Sequence, residues 1–377
     1  MSGEIEIPEP DAVEGAPHPR HAARLHGQEA AEAAFLAATA EGRLHHAWLV
    51  TGPRGVGKAT LAWRIARHLL ADDGTAAGGL PGVDVPPARL DMDPQAPLAR
   101  RVAALGEPRL FLLRRAWDEE KERLKTQITI DEMRRMKAFF SLTAADGGRR
   151  VAIVDAADEM NAATANALLK LLEEPPAGAV LLLVAHQPGR LLPTIRSRCR
   201  ELRCRALGGA DLGHVLEELG ADVSPGEAGA LAELSGGSAG EALRILGQDG
   251  LVTYAGLVTL FAAAPGIDRG AAIRLAESVE GREGAARLDL MLYLAEALMA
   301  RLARAGAAGP PAVEAAPGEA ALLARLAPDA AAARRWATLA AEVLPRARQG
   351  RAVNLDPAAL ILDTLLAIDR AVGQRAA

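Results

Sequence analysis

Short apolar runs alternate with helical patterns over the first half of the chain. Four runs predict buried strands, at 47–50, 109–113, 151–154 and 180–185. Apolar residues recur at helical spacing around them and predict helices over 24–43, 59–70 and 129–140, and a further helix between Asn161 and Pro175. Continuous apolar strands that alternate with helices are typical of a parallel sheet covered on both faces. The first half is therefore predicted to be an α/β domain.

The second half of the chain has a different pattern. Beyond Leu207 no strand pattern is found, and Ala- and Leu-rich helical segments are broken near Gly247 and again at 305–317. We expect four parts, in order a flexible leader, the α/β domain, a small helical domain and a larger helical domain. Their predicted ranges are 1–20, 21–206, 207–247 and 248–377.

Composition narrows the class of protein. The chain has 377 residues, of which 50% are hydrophobic and 24% charged, so it can bury a sizeable core and is not wholly disordered. A net charge of -5 gives no general basic surface for nucleic acid. Two cysteines, Cys199 and Cys204, are too few for a disulfide framework. With no export signal or membrane-length apolar run, we expect a cytoplasmic protein.

A glycine-rich turn lies between the first predicted strand and the next helix. Gly52, Gly55, Gly57 and Lys58 match the G-x-x-x-x-G-K core of a phosphate-binding loop in its strand–turn–helix setting. The glycines allow backbone N–H groups to point at phosphate oxygens, and the lysine reaches the β and γ phosphates of ATP. These residues are predicted to bind nucleotide.

Two groups that ATP hydrolysis needs are absent from the expected positions. Ala59 stands where the motif has a Ser or Thr hydroxyl for Mg²⁺, and Thr60 comes one residue too late to replace it simply. Asp155 ends a strand where it could hold the magnesium ion, but Ala156 follows and cannot polarise an attacking water. We expect a degenerate site that binds ATP and Mg²⁺ weakly or not at all.

A third motif carries a family resemblance. The segment PTIRSRC at 193–199, together with NALLKLLEEPP at 166–176, resembles the clamp-loader branch of the AAA+ ATPases, whose members carry a Ser-Arg-Cys motif. The resemblance implies that Arg198 reaches across a subunit interface to the γ-phosphate of ATP on a neighbour. The alternative for Arg198 is a surface ion pair, but the motif around it favours the interface role.

Further segments narrow the resemblance within that branch. Residues 43–64 and 352–363 resemble a member that does not itself hydrolyse ATP, and Gly240 stands where active members place a second-sensor arginine. Many relatives carry a four-cysteine zinc module between the phosphate loop and the magnesium-binding strand. No cysteine lies between Lys58 and Asp155, so we predict no zinc.

The histidines give less evidence of function than these motifs do. His186 and Gln187 follow the strand at 180–185, where the family has a polar first sensor, and the residues alone do not separate a sensor remnant from an ordinary loop. His45 and His46 lack spaced partners for a metal site and are predicted to be structural.

The resemblance implies a RecA-like AAA+ sheet domain, a small helical lid and an all-helical collar. It implies gamma/tau ATPase subunits and a delta subunit as partners, with the beta sliding clamp and primed DNA contacted through the complex. The chain would belong to the DNA polymerase III holoenzyme without polymerase activity of its own. An active clamp-loader ATPase and a non-catalytic replication adaptor remain as alternatives.

Overall fold

The chain folds as two compact units, Met1–Leu207 and Gly208–Ala377. The computed structural model describes residues 8–13, 15–71, 89–141, 148–281 and 284–373. Each unit has its own elements and is described by itself.

Seven strands are described in the first unit. They are β1 (Ala47–Thr51), β2 (Leu110–Leu113), β3 (Trp117–Asp118), β4 (Arg123–Leu124), β5 (Arg150–Asp155), β6 (Ala179–Val184) and β7 (Arg200–Arg203). Five of them form a parallel sheet in the order β2-β5-β6-β1-β7, and β3 pairs with β4 as an antiparallel hairpin. The predicted parallel sheet of an α/β domain is confirmed.

Six α-helices of the first unit cover the two faces of this sheet. They are α1 (Glu29–Ala40), α2 (Lys58–Ala71), α3 (Pro97–Ala103), α4 (Ile130–Ser141), α5 (Ala162–Glu173) and α6 (Pro193–Arg196). Helices α1, α2 and α3 contribute to the core on one face, and α4, α5 and α6 to the core on the other. Successive residues of a strand point to opposite faces of the sheet. Ile153 of β5 therefore lies in one core and Val154 in the other.

Local sequence signals set where two of these helices begin. The carboxylate of Glu132 accepts a hydrogen bond from the backbone N–H of Thr129 at 2.8 Å, just before α4. The side chain of Asn161 accepts one from the N–H of Thr164 at 2.9 Å and caps α5. Both contacts satisfy backbone donors at a helix start, as the sequence predicted.

Several elements of the first unit were not predicted from the sequence. Strand β7 has mostly exposed, charged side chains, and only Leu202 carries the apolar signal of a strand. Helix α3 lies in the stretch 75–108, whose Gly, Pro and Ala content suggests a surface excursion, yet Leu90 and Val102 join the core beside α2.

The hairpin of β3 and β4 lies in a charged run, up to Lys125, whose composition indicates a solvated loop or helix face. Residues 75–88 lie outside the described residues.

The described residues between Pro8 and Ala23 pack on the first unit instead of preceding it as a leader. Arg114, just after β2, forms ion pairs with Glu9 and Asp11. His18 lies 2.9 Å from Asp11 and packs edge-on against Trp63 of α2. Because Arg114 and Trp63 are distant from this segment in the sequence, no local periodicity could reveal these contacts. We call residues 8–13 and 15–23 the N-terminal strap.

The second unit is helical throughout its described residues, as predicted. Its helices are α7 (Gly209–Glu218), α8 (Pro225–Ser235), α9 (Ala239–Gly247), α10 (Gly250–Ala262), α11 (Arg269–Glu277), α12 (Gly284–Ala308), α13 (Glu319–Leu326), α14 (Ala330–Ala352) and α15 (Pro357–Gly373). No single described helix is long and apolar enough to cross a membrane, although α9 and α10 pass that test together as a pair bent by 78°.

A buried charge network crosses the predicted boundary between lid and collar at 247/248. Arg301 of α12 donates to Glu319 of α13 at 2.5 and 2.9 Å and forms an ion pair with Glu233 of α8. The hydroxyl of Tyr254 also donates to Glu319, at 2.5 Å. These contacts tie α8 to the later helices, so the two predicted helical domains share one compact unit.

We expect Glu319→Ala to destabilise the second unit strongly. Glu319 is 0% exposed, and its removal leaves the cation of Arg301 buried with one partner fewer. Breaking such a pair costs about 3–5 kcal/mol. Denaturant unfolding of the full chain should measure this loss, with the exposed Glu342→Ala on α14 as the control. A loss for Glu319→Ala no larger than for the control would contradict the expectation.

Candidate nucleotide site and surface arginine

The phosphate-binding motif forms a loop between β1 and the first turn of α2. Gly52, Gly55 and Gly57 all have positive φ angles, of 140°, 76° and 99°, which glycine adopts without strain. Lys58 begins α2 and is only 2% exposed. Its ammonium group donates to the carbonyl oxygens of Gly52, at 2.8 Å, and of Pro53. The predicted motif residues are therefore brought together in one loop.

Backbone packing explains why a glycine is needed at the start of this loop. A Cβ atom at Gly52 would collide with the carbonyl oxygen of Cys204, which follows β7. The buried side chain of Gln28 joins the same two segments, because it donates to the carbonyl oxygens of Val56 at 3.0 Å and Arg205 at 2.8 Å. Contacts at Gly52 and at Val56 thus fix the loop beside the segment that follows β7.

The sheet register brings Asp155 close to this loop. Asp155 of β5 pairs with Val184 of β6, and Val184 in turn pairs with Val50 of β1. The carboxyl ends of these parallel strands therefore lie side by side. His186 follows β6 at the same edge, where its backbone N–H donates to Asp158 at 2.9 Å.

Burial perturbs the titratable groups at this edge. Burial raises the pKa of Asp155 to about 7, and the negative charge of Asp11 in the strap adds to the effect. Burial lowers the pKa of Lys58 to about 8. Burial and, to a smaller extent, the positive charge of Lys58 lower the pKa of His186 to about 4. At neutral pH His186 is uncharged and Asp155 is only partly ionised.

The arrangement fits a phosphate group better than a magnesium ion. Glycines at the start of a helix, with a buried lysine, suit an anion. Ala59 instead packs its methyl group against the core, and Thr60 is the third residue of α2. Ala156 is buried beside Asp155 and carries no polar group. Over the described ranges, no cluster of three His, Cys, Asp or Glu side chains could hold a metal.

Arg198 lies at a different place in the first unit. It follows α6, and its guanidinium donates to the carbonyl oxygen of Thr194 at 3.0 Å and forms a 2.8 Å ion pair with Glu173 at the end of α5. Its side chain is 36% exposed. The surface ion pair that the sequence left open is therefore present, and it leaves the guanidinium accessible.

The sheet separates Arg198 from the phosphate loop of its own chain. Arg198 comes two residues before β7, whose first residue, Arg200, pairs with Trp48 near the start of β1. The phosphate loop begins at the other end of β1, four residues further on. At about 3.3 Å per residue, the backbone of the loop begins about 13 Å further along β1 than the position paired with Arg200, so Arg198 and the loop lie on opposite edges of the sheet.

The remaining sequence candidates make structural contacts. His46 lies 3.0 Å from the carbonyl oxygen of Leu172 in the last turn of α5, and His45 stacks on it. Burial raises the pKa of Cys199 to about 12 and that of Cys204 to about 11, so both thiols are protonated and unreactive at neutral pH.

Three contacting residues were missed in the sequence. Gln28 holds the phosphate loop, Asp11 perturbs Asp155, and Glu173 holds Arg198. Glu173 lies within the NALLKLLEEPP segment that carried the resemblance, and this was the signal that could have drawn attention to it. The contacts of Gln28 and Asp11 join distant segments and had no local signal.

The region that contains the phosphate loop and Arg198 also matches a protein family. A family model described as "DNA polymerase III, delta subunit" matches residues 27–207. DNA polymerase III subunit delta′ of Pseudomonas aeruginosa is 39% identical over 206 residues, covering 54% of this chain and 56% of the relative. The first unit is thus similar to delta′ subunits of DNA polymerase III over most of its length. The delta′ subunit of Bacillus subtilis is 32% identical over 193 residues, covering 51% of each chain.

Subunits of DNA polymerase III named gamma or tau are also similar to this chain. The gamma/tau subunit of Mycobacterium tuberculosis is 30% identical over 234 residues, covering 61% of this chain and 37% of the relative. A gamma subunit-related protein from Thermotoga maritima, of known structure, covers 87% of this chain and 95% of its own, with 18% identity and a TM-score of 0.34. The chain spans about half the length of the delta′ relatives it matches.

We expect Asp155→Asn to stabilise the protein at high pH only. Because the pKa of Asp155 rises from an ordinary 3.8 to about 7 on folding, the folded chain binds its proton more tightly than the unfolded chain between these values. Stability is therefore lost as the pH rises through this window, by at most about 4 kcal/mol. Asparagine cannot ionise and avoids that loss.

Denaturant unfolding at pH 4 and pH 8 measures this effect. The advantage of Asp155→Asn over wild type should be present at pH 8 and smaller at pH 4. The exposed Asp131→Asn on α4 is the matched control and should show no such pH dependence. An advantage of equal size at both pH values would contradict the raised pKa.

Proposed function

We propose that this chain is a delta′-type stator of a bacterial clamp loader, which supplies Arg198 to ATP bound on a neighbouring ATPase subunit. The observation that carries the proposal is the position of Arg198. Arg198, whose side chain is 36% exposed, lies just before β7 and thus on the opposite edge of the sheet from the phosphate loop of its own chain. A phosphate that it contacts must therefore come from another subunit.

The chemistry of its own nucleotide site supports the stator role. Ala59 and Ala156 provide neither a metal-binding hydroxyl nor a water-orienting base, and the carboxyl of Asp155 is only partly ionised at neutral pH. The phosphate cradle around Lys58 persists, which suits a structural turn or a weakly held nucleotide. Efficient hydrolysis needs all of these parts at once.

The delta′ and gamma/tau relatives suggest the partners. In this proposal the neighbour that binds ATP is a gamma/tau subunit, and a delta subunit completes the complex. ATP binding closes the complex on primed DNA and opens the beta sliding clamp, and hydrolysis, aided by Arg198, releases the clamp. The protein works in the cytoplasm at replication forks, as a subunit of the DNA polymerase III holoenzyme.

We expect Arg198→Ala to reduce ATP hydrolysis by the reconstituted clamp loader. An arginine that stabilises charge on a transferring phosphoryl group is worth ~10³ to 10⁵ in rate at the site it serves. The rate of ATP hydrolysis stimulated by clamp and primed DNA should therefore fall by the amount that the neighbouring site contributes. Arg198→Lys should not restore it, because lysine lacks the planar fork that binds phosphate at two points.

Two control variants separate the alternatives. Arg196→Ala removes an exposed arginine from the same motif and should leave hydrolysis unchanged. Lys58→Ala disables the phosphate loop of this chain and should also have little effect. A loss with Lys58→Ala in place of Arg198→Ala would indicate an active ATPase, and no loss with either variant would leave only an adaptor.

A further inference from the structure

Two acceptors on two helices hold the guanidinium of Arg198. One terminal nitrogen donates to the carbonyl oxygen of Thr194 in α6, at 3.0 Å, and the other pairs with the carboxylate of Glu173 in α5, at 2.8 Å. A guanidinium has five N–H donors in a planar fork. Donors therefore remain for a phosphate group while both of these contacts stay in place.

Glu173 presents its carboxylate from a well-supported position. It is the last residue of α5, and the preceding residue, Leu172, is buried in the core of the sheet. The ring of His46, at the start of β1, lies 3.0 Å from the carbonyl oxygen of Leu172. Burial and the neighbouring His45 lower the pKa of His46, so this ring is uncharged and donates its N–H to that carbonyl. The last turn of α5 is thus attached to the sheet.

The location also favours the arginine cation electrostatically. The C-terminal end of a helix carries a partial negative charge, and Glu173 adds a full one at the same point. Both attract the guanidinium of Arg198. Because both side chains are partly exposed, solvent screens the pair and its contribution is small. The contact can therefore orient Arg198 without preventing it from binding a phosphate.

We infer that Glu173 is a positioning residue, which holds Arg198 in the orientation that meets the γ-phosphate of a nucleotide on the neighbouring subunit. The inference rests on the proposed function of Arg198. An unrestrained arginine has many rotamers, and their loss opposes each productive contact with the phosphate. Glu173 already restricts the rotamers of Arg198 in the free subunit, so less side-chain entropy is lost when Arg198 contacts the phosphate.

The test is ATP hydrolysis by the reconstituted clamp loader with Glu173→Ala in this subunit. We expect kcat at the neighbouring site to fall about 2- to 10-fold, the effect of ordering one long side chain, with the KM for ATP unchanged. Glu173→Gln retains an oxygen acceptor and should restore part of the rate. The adjacent exposed Glu174→Ala is the matched control and should leave kcat at the wild-type value.

A double variant separates positioning from a general structural role. In an Arg198→Ala background, Glu173→Ala should cause no further loss, because nothing is left to position. An equal loss in that background, or a loss for Glu174→Ala as large as for Glu173→Ala, would overturn the inference. So would full activity of Glu173→Ala when Arg198→Ala is impaired, and this result would leave the proposed function intact. Full activity of Arg198→Ala would overturn both.

Discussion

The parallel pairing of β1 with β6 on one side and β7 on the other is the constraint on which the rest of the first unit depends. This register aligns the carboxyl ends of β5, β6 and β1, so the phosphate loop and Asp155 meet at one edge. The same register places the start of β7, and therefore Arg198, at the other edge. The phosphate loop and Arg198, for which we propose different roles toward a nucleotide, thus lie on opposite edges of one sheet.

Burial gives the carboxyl edge its electrostatic character. Lys58 is enclosed, and its ammonium group is satisfied by carbonyl oxygens of its own loop. Asp155 is enclosed too, and the strap adds the charge of Asp11 to its surroundings, which favours the protonated acid. This edge keeps the glycine loop and the buried lysine of a phosphate site beside an acid that is only partly ionised at neutral pH, which agrees with the proposed loss of hydrolysis.

Elements with strong local patterns were predictable. The four apolar runs became strands of the sheet, and the capping contacts of Glu132 and Asn161 mark where α4 and α5 begin. Strand β7 was missed because an edge strand is exposed on its outer side and needs few apolar residues. The strap and α3 were missed because their contacts are to residues far away in the sequence, which a local pattern cannot register.

The sequence by itself determined the α/β pattern, the phosphate-loop glycines with Lys58, and the missing groups at Ala59 and Ala156, because each depends only on residue type and short-range spacing. Only the tertiary structure decided that Arg198 lies on the opposite edge of the sheet from its own phosphate loop, that Glu173 holds it, and that Asp155 is only partly ionised at neutral pH. These properties depend on strand register and burial, which arise only when segments distant in the sequence pack together.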